Sequence, residues 1–458
     1  MKVIICGAGQ VGFNIARYLA QENNDVTVID QRPELIRKMG NTLDVQCVQG
    51  HASHPAVLEQ AGAADADMLI AVTAVDEVNM VACQVAHSLF NVPTKVARVR
   101  SQSYLQPIWS NLFSRDSLPI DVIISPEIEV ARAVARRLHV PGALEVIPLA
   151  DDKVRLIGVR CTEQTPLVNT PLRQLTVLFP DLNIVVIGIV RNGKPLVPSA
   201  EDQMLPGDEV MFVVDSQHAA RAMSAFGHEE PEARRIVIFG GGHIGLFLAQ
   251  QIEGLPSGVS AKVVEMDPAR AEEVARQLNN TMVLNGDVLD SAILEEAAVG
   301  TAETVVAVTN DDETNILAAL LAKRQGCKRV MALVNKTDYS TLMSTLGIDV
   351  VISPRTITVS HILQHVRRGR IRAVYSLSEG FGELIEADAM ETSPLVGKPL
   401  REVKLPNGVL IGAIVRDGKV ISPRGNSVVQ AGDRVILFAA AEAVKKVEKL
   451  FSVRLEFF

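Results

Sequence analysis

The sequence predicts an α/β protein: two Rossmann-like, doubly wound parallel-sheet domains, each followed by a small α+β lobe. Three observations predict it. An apolar strand at residues 3–6 runs into Gly7-Ala8-Gly9-Gln10-Val11-Gly12 and then a helical pattern through Ile15, Ala16 and Leu19. A second apolar run, residues 26–29, then ends on Asp30. The chain repeats this arrangement further on, with an apolar strand at 236–239, the turn Gly240-Gly241-Gly242-His243-Ile244-Gly245, and Val263-Val264 ending on Glu265. After each such region the texture changes to short β-rich segments around turn signals.

In the opening stretch each residue has a physical role if a dinucleotide sits there. Gly7 permits the tight strand-to-helix turn, Gly9 lets the backbone approach a pyrophosphate, and Gly12 packs helix against strand. The helix N-terminus then presents unpaired N–H groups and its positive dipole end to the phosphates. Asp30 lies 18 residues after Gly12, where an acid accepts from ribose hydroxyls. The alternative is a glycine-rich turn that binds nothing.

The elements follow in order. Pro33 opens a helix over 34–39, residues 45–48 form a third strand, and Ser53-His54-Pro55 starts a helix with Leu58 and Ala61 inward. Residues 68–72 are a fourth strand ending at Thr73, 76–90 a helix, 95–100 a fifth strand and 122–124 a sixth. Strands alternating with helices at this pace give a right-handed parallel sheet. A helix over 126–138 leaves it, and 139–142 reads as a linker. In the lobe, 158–160, 185–190 and 210–214 are strands, Asn192-Gly193 is a hairpin signal, and Pro206-Gly207-Asp208 is a turn. Residues 228–232, HEEPE, link the halves.

The repeat runs through the whole chain. Gln49-Gly50-His51 returns as Asn285-Gly286-Asp287, Ala71-Val72-Thr73 as Ala307-Val308-Thr309, and Asp76-Glu77-Val78-Asn79 as Asp312-Glu313-Thr314-Asn315. Ser125-Pro126 returns as Ser353-Pro354, and in the lobes Thr165-Pro166-Leu167 returns as Ser393-Pro394-Leu395. The offsets, 228 to 236 over the first four pairs, are about half of the 458 residues, so this is a duplication. The expected domains are 1–123 and 232–352 for the nucleotide folds, and 143–227 and 371–455 for the lobes.

Bulk properties narrow the function. A net charge of −8 with a pI near 5.7 lacks the basic face that nucleic acid requires, and no nucleic-acid partner is expected. Aromatic residues make up 4%, too few for base-stacking platforms. Mean hydropathy is high, +0.21, yet no apolar run reaches the ~18 residues that span a bilayer. Met1 leads directly into a core strand without a signal-peptide pattern. Any membrane relation is therefore expected to pass through a partner protein. The five cysteines form no C-x-x-C pair and read as core residues of a reducing cytoplasm. No metal site is expected: His51 and His54 have i, i+3 spacing, but nothing nearby completes a zinc set.

Several stretches carry a more specific resemblance: Val48-Gln49-Gly50-His51, residues 65–73 (DADMLIAVT) and residues 79–86 (NMVACQVA). With the tandem arrangement, residues 1 to about 451 resemble the RCK (KTN) family, as the paired units of the cytosolic regulatory subunit of Trk-type potassium uptake systems. The resemblance implies a non-enzymatic subunit at the cytoplasmic side of the inner membrane, peripheral through its channel partner. It implies assembly into a ring under the membrane-embedded potassium channel subunit, whose gating changes when NAD, NADH, ATP or ADP occupies a shared cleft. If eight units close the ring, two per chain imply a homotetramer.

The candidate cofactor-binding residues of the first half are Gly7, Ala8, Gly9, Gln10, Val11 and Gly12, with Asp30 on the adenosine ribose. His51, Thr73 and Ala74 end strands at the edge where doubly wound sheets place their crevice. The family pattern adds Arg98 as a phosphate contact. The second half offers Gly240, Gly241, Gly242, His243, Ile244, Gly245, Glu265, Asp287, Thr309 and Asn310. There Asp287 replaces His51, and the position matching Arg98 is expected to be Val334 (98 + 236), with Lys336 the one possible substitute cation. Adding an acid and removing a cation weakens a site for polyphosphate, so the second cleft is expected to bind more weakly or to be structural only. No catalytic residues are expected. The alternative, an NAD-dependent oxidoreductase, needs an acid/base group beside the nicotinamide, and the lobes offer only His218, without a counterpart in the second lobe. A redox-sensing transcription factor lacks its basic helix-turn-helix. The basic run at 367–372 reads as a solvated helix end or a contact for anionic surfaces.

Overall fold

The computed structural model describes residues 1–21, 24–179, 182–255, 258–366, 371–377 and 381–451. Four sheets result. The first is built from β1 (Lys2–Cys6), β2 (Asp25–Asp30), β3 (Gln46–Gln49), β4 (Met68–Ala71), β5 (Thr94–Arg98) and β6 (Val122–Ile124). Its strands run parallel in the order β3-β2-β1-β4-β5-β6. Connections are the helices α1 (Gln10–Gln21), α2 (Pro33–Thr42), α3 (Pro55–Gln60) and α4 (Asp76–Phe90). Order reverses between β1 and β4, and that switch point is where open α/β sheets hold ligands. Val3, Ile5, Val28 and Ile70 bury on one face, and Ile4, Cys6, Ile29 and Leu69 on the other. Covering both faces explains why these strands read as unbroken apolar runs.

The third sheet, β12 (Arg235–Phe239), β13 (Ser260–Glu265), β14 (Met282–Asn285), β15 (Thr304–Ala307), β16 (Arg329–Leu333) and β17 (Val350–Ile352), has the same parallel order. The two lobes carry five-stranded antiparallel sheets of matching order. The first contains β7 (Ala143–Leu149), β8 (Val154–Arg160), β9 (Val185–Arg191), β10 (Lys194–Leu196) and β11 (Glu209–Asp215) in the order β10-β9-β11-β8-β7. The second contains β18 (Ile371–Leu377), β19 (Gly382–Asp388), β20 (Val409–Arg416), β21 (Lys419–Ile421) and β22 (Arg434–Ala440) in the order β21-β20-β22-β19-β18. Both hairpin turns use αL residues, Asn192-Gly193 and Asp417-Gly418, as two-residue hairpins require. The α+β texture read from sequence is thus present, with β7 as an added strand where a linker was expected to end.

By compactness the chain divides into Met1–Glu129 with Arg355–Val366, and Val130–Pro354 with Arg367–Phe458. This exchange of helices is not visible in the hydropathy pattern. In the first unit, Val359 and Ile362 of α13 (Pro354–Val366) join the core formed by Val3, Ile5 and Ile124. In the second, the end of α5 (Pro126–Leu138) is tied down by the buried Arg137 and the half-buried Arg329. Arg137 donates to the Ala133 and Leu144 carbonyls at 2.8 Å each. Arg329 donates to the Arg137 and Ala143 carbonyls, at 3.0 and 2.5 Å. Burial pushes the Arg329 guanidinium down to about 10.

Among the described residues no helix is long and apolar enough to cross a membrane. All five cysteines are free; Cys6, Cys83, Cys161 and Cys327 are buried and Cys47 is half-buried. Of the basic run, residues 367–370 lie outside the described residues; Arg372 holds Asp388 through Nε at 2.7 and 2.8 Å.

Candidate nucleotide-binding clefts

The first cleft is assembled at the carboxyl ends of β1, β2 and β4. Gly7, at φ 110°, donates to the Ile29 carbonyl at 2.7 Å while its α-carbon faces Thr73, so that an added Cβ would meet the Thr73 nitrogen at 3.0 Å. Gly12 packs so tightly that a Cβ would lie 1.8 Å from the Gly7 carbonyl oxygen. Gly9 is the opposite: a Cβ there meets nothing within 4 Å. The turn therefore needs its outer glycines for packing and leaves the middle one facing open space, as a phosphate cradle requires. Asp30, only 9% exposed, accepts from the Ala8 N–H at 2.7 Å and the Arg32 N–H at 2.9 Å. It thus anchors the glycine turn at the carboxyl end of β2.

Thr73 owes its place to a residue whose role the sequence did not suggest. The fully buried Asn79 accepts from the Thr73 N–H and hydroxyl at 2.8 and 2.7 Å. Its amide donates to the Arg98 carbonyl at 2.9 Å, so one side chain ties β4, α4 and β5 together at the crevice. Leaving such a buried amide unpaired costs about 1–3 kcal/mol per group. Its repetition as Asn315 was a usable signal. His51 Nδ1 lies 2.9 Å from the Ser53 hydroxyl, and its ring stacks on His54 with centroids 4.8 Å apart. His54 occupies the N-cap of α3 without a side-chain cap bond. Arg98 does stand at the end of β5, but its guanidinium pairs with Glu127 at 3.2 Å, which Arg100 also approaches at 3.3 Å. Burial lowers the Arg98 pKa, and Glu127 opposes that shift.

The second cleft repeats the scaffold. Gly240 has φ 103°, a Cβ on Gly245 would lie 1.9 Å from the Gly240 carbonyl oxygen, and Gly242 faces open space. Gly242 is also the N-cap of α8 (His243–Glu253), and Ile244 is in its first turn. Glu265 accepts from the Gly241 N–H at 2.6 Å and the Asp267 N–H at 3.0 Å. Asn315 holds Thr309 as Asn79 holds Thr73, at 2.8 and 2.7 Å. Asp287 spends one oxygen on the Leu289 N–H at 2.9 Å. Asn310, like Ala74, is exposed beside its threonine.

One sequence correspondence is corrected. Asn315 donates to the Leu333 carbonyl at 3.0 Å where Asn79 donates to that of Arg98, and Val334, like Val99, donates to the last residue of the edge strand. Leu333, not Val334, therefore stands at the Arg98 position. The helix before β16, α11 (Asp312–Arg324), is two residues shorter than α4, and the offset drops from 236 to 235 across that connection. The cation is absent at that place in either alignment. Lys336, the substitute cation considered from the sequence, holds Glu313 at 2.6 Å, much as Arg98 pairs with Glu127.

The comparisons agree with this architecture. The TrkA-N domain profile matches residues 3–126 and 236–354, and the TrkA-C domain profile matches 156–227 and 384–452. A Trk system potassium uptake protein TrkA from Azorhizobium caulinodans is 55% identical over 458 residues, covering all of both chains. Its counterpart in Vibrio alginolyticus is 43% identical over 98% of each. Among solved structures, the GsuK RCK domain superposes with a TM-score of 0.60 at 20% identity, over 99% of this chain and 95% of that one. The GsuK channel bound to NAD gives 0.60 at 20% identity, over 99% and 79%. These two likenesses speak for the fold. With full-length relatives at this identity and both domain types matched twice, the chain belongs to the TrkA family of Trk system potassium uptake proteins.

Proposed function

We propose that this chain is the nucleotide-reading regulatory subunit of a Trk-type potassium uptake system. It works at the cytoplasmic side of the inner membrane, held there by a membrane-embedded channel subunit, and catalyses no reaction of its own. The observation that carries this reading is the presence, in one chain of this family, of two clefts with the same cradle: an open middle glycine, a helix N-terminus, and an acid at the end of the second strand that accepts an N–H of the glycine turn. Gly9 and Gly242 fit a pyrophosphate at the helix N-termini, and Asp30 and Glu265 fit the adenosine ribose of NAD, NADH, ATP or ADP. His51, Thr73, Ala74 and Arg98, with Asp287, Thr309 and Asn310, complete the rims.

A nucleotide acts here by charge and shape alone. A homotetramer would close eight nucleotide domains into a ring, and a ligand that fits one ring geometry better biases it by that difference in affinity and no more. Calorimetric titration with NADH, NAD, ATP and ADP tests the reading. Two unequal sites are expected, one lost in Asp30→Ala and the other in Glu265→Ala. Absence of heat with every nucleotide would overturn it, as would sustained substrate-dependent oxidation of NADH.

A further inference from the structure

The two lobes share one apolar cluster, in which Leu156, Ile187 and Val213 of the first pack with Leu384, Ala413 and Ile436 of the second. Strand pairing fixes which residues correspond between lobes: the offset is 228 from β8 to β19, and 225 from β9 to β20 and from β11 to β22. Exchanging counterparts relates the two sides of the seam, and the sides are not alike. On one, Phe381 fills the seam: its ring lies 4.8 Å from that of Phe438, and a Cβ on Gly188 would meet it at 2.3 Å. On the other, the counterparts are Lys153 (381 − 228), Val213 (438 − 225) and Ala413 (188 + 225). Neither ring is present there, and a cavity of about 160 Å³ lies against Val213 and Ala413. Asn183, Asp215, His218 and Ser422 also line it. At the same places the filled side has Gly408 (183 + 225), Ala440 (215 + 225), Ala443 (218 + 225) and Val197 (422 − 225), none with a polar side chain. Loss of the rings and gain of polar groups thus coincide, whereas a hole left by poor packing alone is apolar. His218 Nδ1 is buried without a partner, a cost that a ligand recovers by meeting it. Asp215 gives one oxygen to the Gln217 N–H at 2.9 Å. It is the one carboxylate of the lining, and among the described residues no lysine or arginine lines the cavity.

We propose that this cavity is a further ligand site, separate from the glycine-turn clefts, for a small organic cation: a primary ammonium on an apolar body the size of one aromatic ring. An ammonium brings three donors and no acceptor. The lining offers it the Asp215 carboxylate, an imidazole nitrogen of His218, and the oxygens of Ser422 and Asn183. The body rests on Val213 and Ala413, and its size follows from the volume, since a cavity of about 150 Å³ takes a benzene ring. An anion of the same shape meets the carboxylate and is rejected. Because both lobes supply walls, a bound cation favours their paired arrangement by mass action. The inference does not rest on nucleotide binding.

The test uses the full chain without nucleotide and benzylamine as the probe, with benzyl alcohol and benzoate as its neutral and anionic matches. Calorimetric titration should show benzylamine preferred over benzyl alcohol by about tenfold or more, the effect of a hydrogen bond to a charged group, and no binding of benzoate. Asp215→Asn keeps the side-chain bond to Gln217 and removes the charge. It should weaken benzylamine about tenfold and erase its advantage over benzyl alcohol. Val213→Phe supplies the ring that Phe438 provides on the filled side and should abolish binding of both. Thermal unfolding without ligand establishes that each variant is folded; if Val213→Phe is not, Asp215→Asn and the order of the three probes decide alone. Benzylamine affinity unchanged in Asp215→Asn would overturn the inference, as would benzoate binding as tightly as benzylamine, or a folded Val213→Phe chain that still binds. Absence of benzylamine binding to the unmodified chain would overturn it outright, leaving the nucleotide reading untouched.

Discussion

The two clefts share a backbone and differ in how each holds its acid. In the first, the short Asp30 reaches the Ala8 N–H at 2.7 Å, and Ala8 keeps its methyl. In the second, Glu265 is one methylene longer, and its partner is Gly241, where a Cβ would sit 3.2 Å from the Glu265 Cβ and Oε2. The longer acid and the missing methyl are two halves of one steric exchange. Beside it the positive charge has moved. The first half has Arg98 at the end of β5, paired with Glu127, and the second has Leu333 there, with Arg270 on the Gly241 carbonyl instead. Duplication thus preserved what the glycine turn demands of packing and varied the charged groups around it. The halves are equal as scaffold and unequal in the charges set on it.

The largest expected effect tests the equality of the scaffold. Gly12→Ala and Gly245→Ala each place a Cβ within 2 Å of the carbonyl oxygen five residues back, a contact no rotamer relieves. Each should cost on the order of 3–5 kcal/mol, seen by calorimetry as a fall in the unfolding temperature of the unit that carries it. Similar losses would support a common scaffold. A tolerated substitution in one half only would show that its turn is held by different forces.

A smaller effect tests the steric exchange. Gly241→Ala alone should lose about 1 kcal/mol by crowding Glu265. Glu265→Asp in the same chain should recover most of that loss, because the pair then reproduces Ala8 with Asp30. A double-mutant cycle read by denaturant unfolding should therefore give a coupling of about 1 kcal/mol. Strict additivity would mean that the glycine and the longer acid are unrelated.

Legibility followed the same division. The glycine turns, Asp30 and Glu265 were readable because their roles depend on local spacing within one strand–turn–helix unit. The parallel strand order followed from that unit and the alternation of elements. Arg270 was not readable: it acts on the Gly241 carbonyl, 29 residues away, from a helix turn where an arginine is ordinarily a surface charge. Asn79 and Asn315 were noticed as repeats, but a polar residue inside a helix does not announce that it is fully buried and bonded to two strands. The match of Arg98 to Val334 failed because a constant offset was carried across a connection of different length. The packing of α13 on the first sheet was silent as well, since an amphipathic pattern fixes the face a helix buries and not the partner it buries against.

The smallest effect concerns charge away from Asp30 and Glu265, at the start of α4 and α11. Glu77 accepts from Tyr104 at 2.9 Å, and its counterpart Glu313 accepts from Tyr339 at 2.8 Å and also from Lys336 at 2.6 Å. The position of Lys336 is Ser101 in the first half (336 − 235). Glu77 is lowered first by its own backbone N–H and then by Tyr104. Lys336, followed by Tyr339, holds Glu313 further down, at about 2 against an ordinary 4.5. Both folded-state values are depressed, so each carboxylate contributes its full stabilisation above about 4.5 and loses it as pH falls, in the case of Glu313 only on approaching about 2. Lys336→Ser should therefore raise the Glu313 midpoint toward that of Glu77, seen by carboxyl carbon NMR titration. Because the pair is exposed and screened, the unfolding temperature at neutral pH should hardly move. A Glu313 midpoint that stays put would mean that Tyr339 and the helix N-terminus hold it down without the lysine, and that at this position the halves differ in sequence but not in electrostatics.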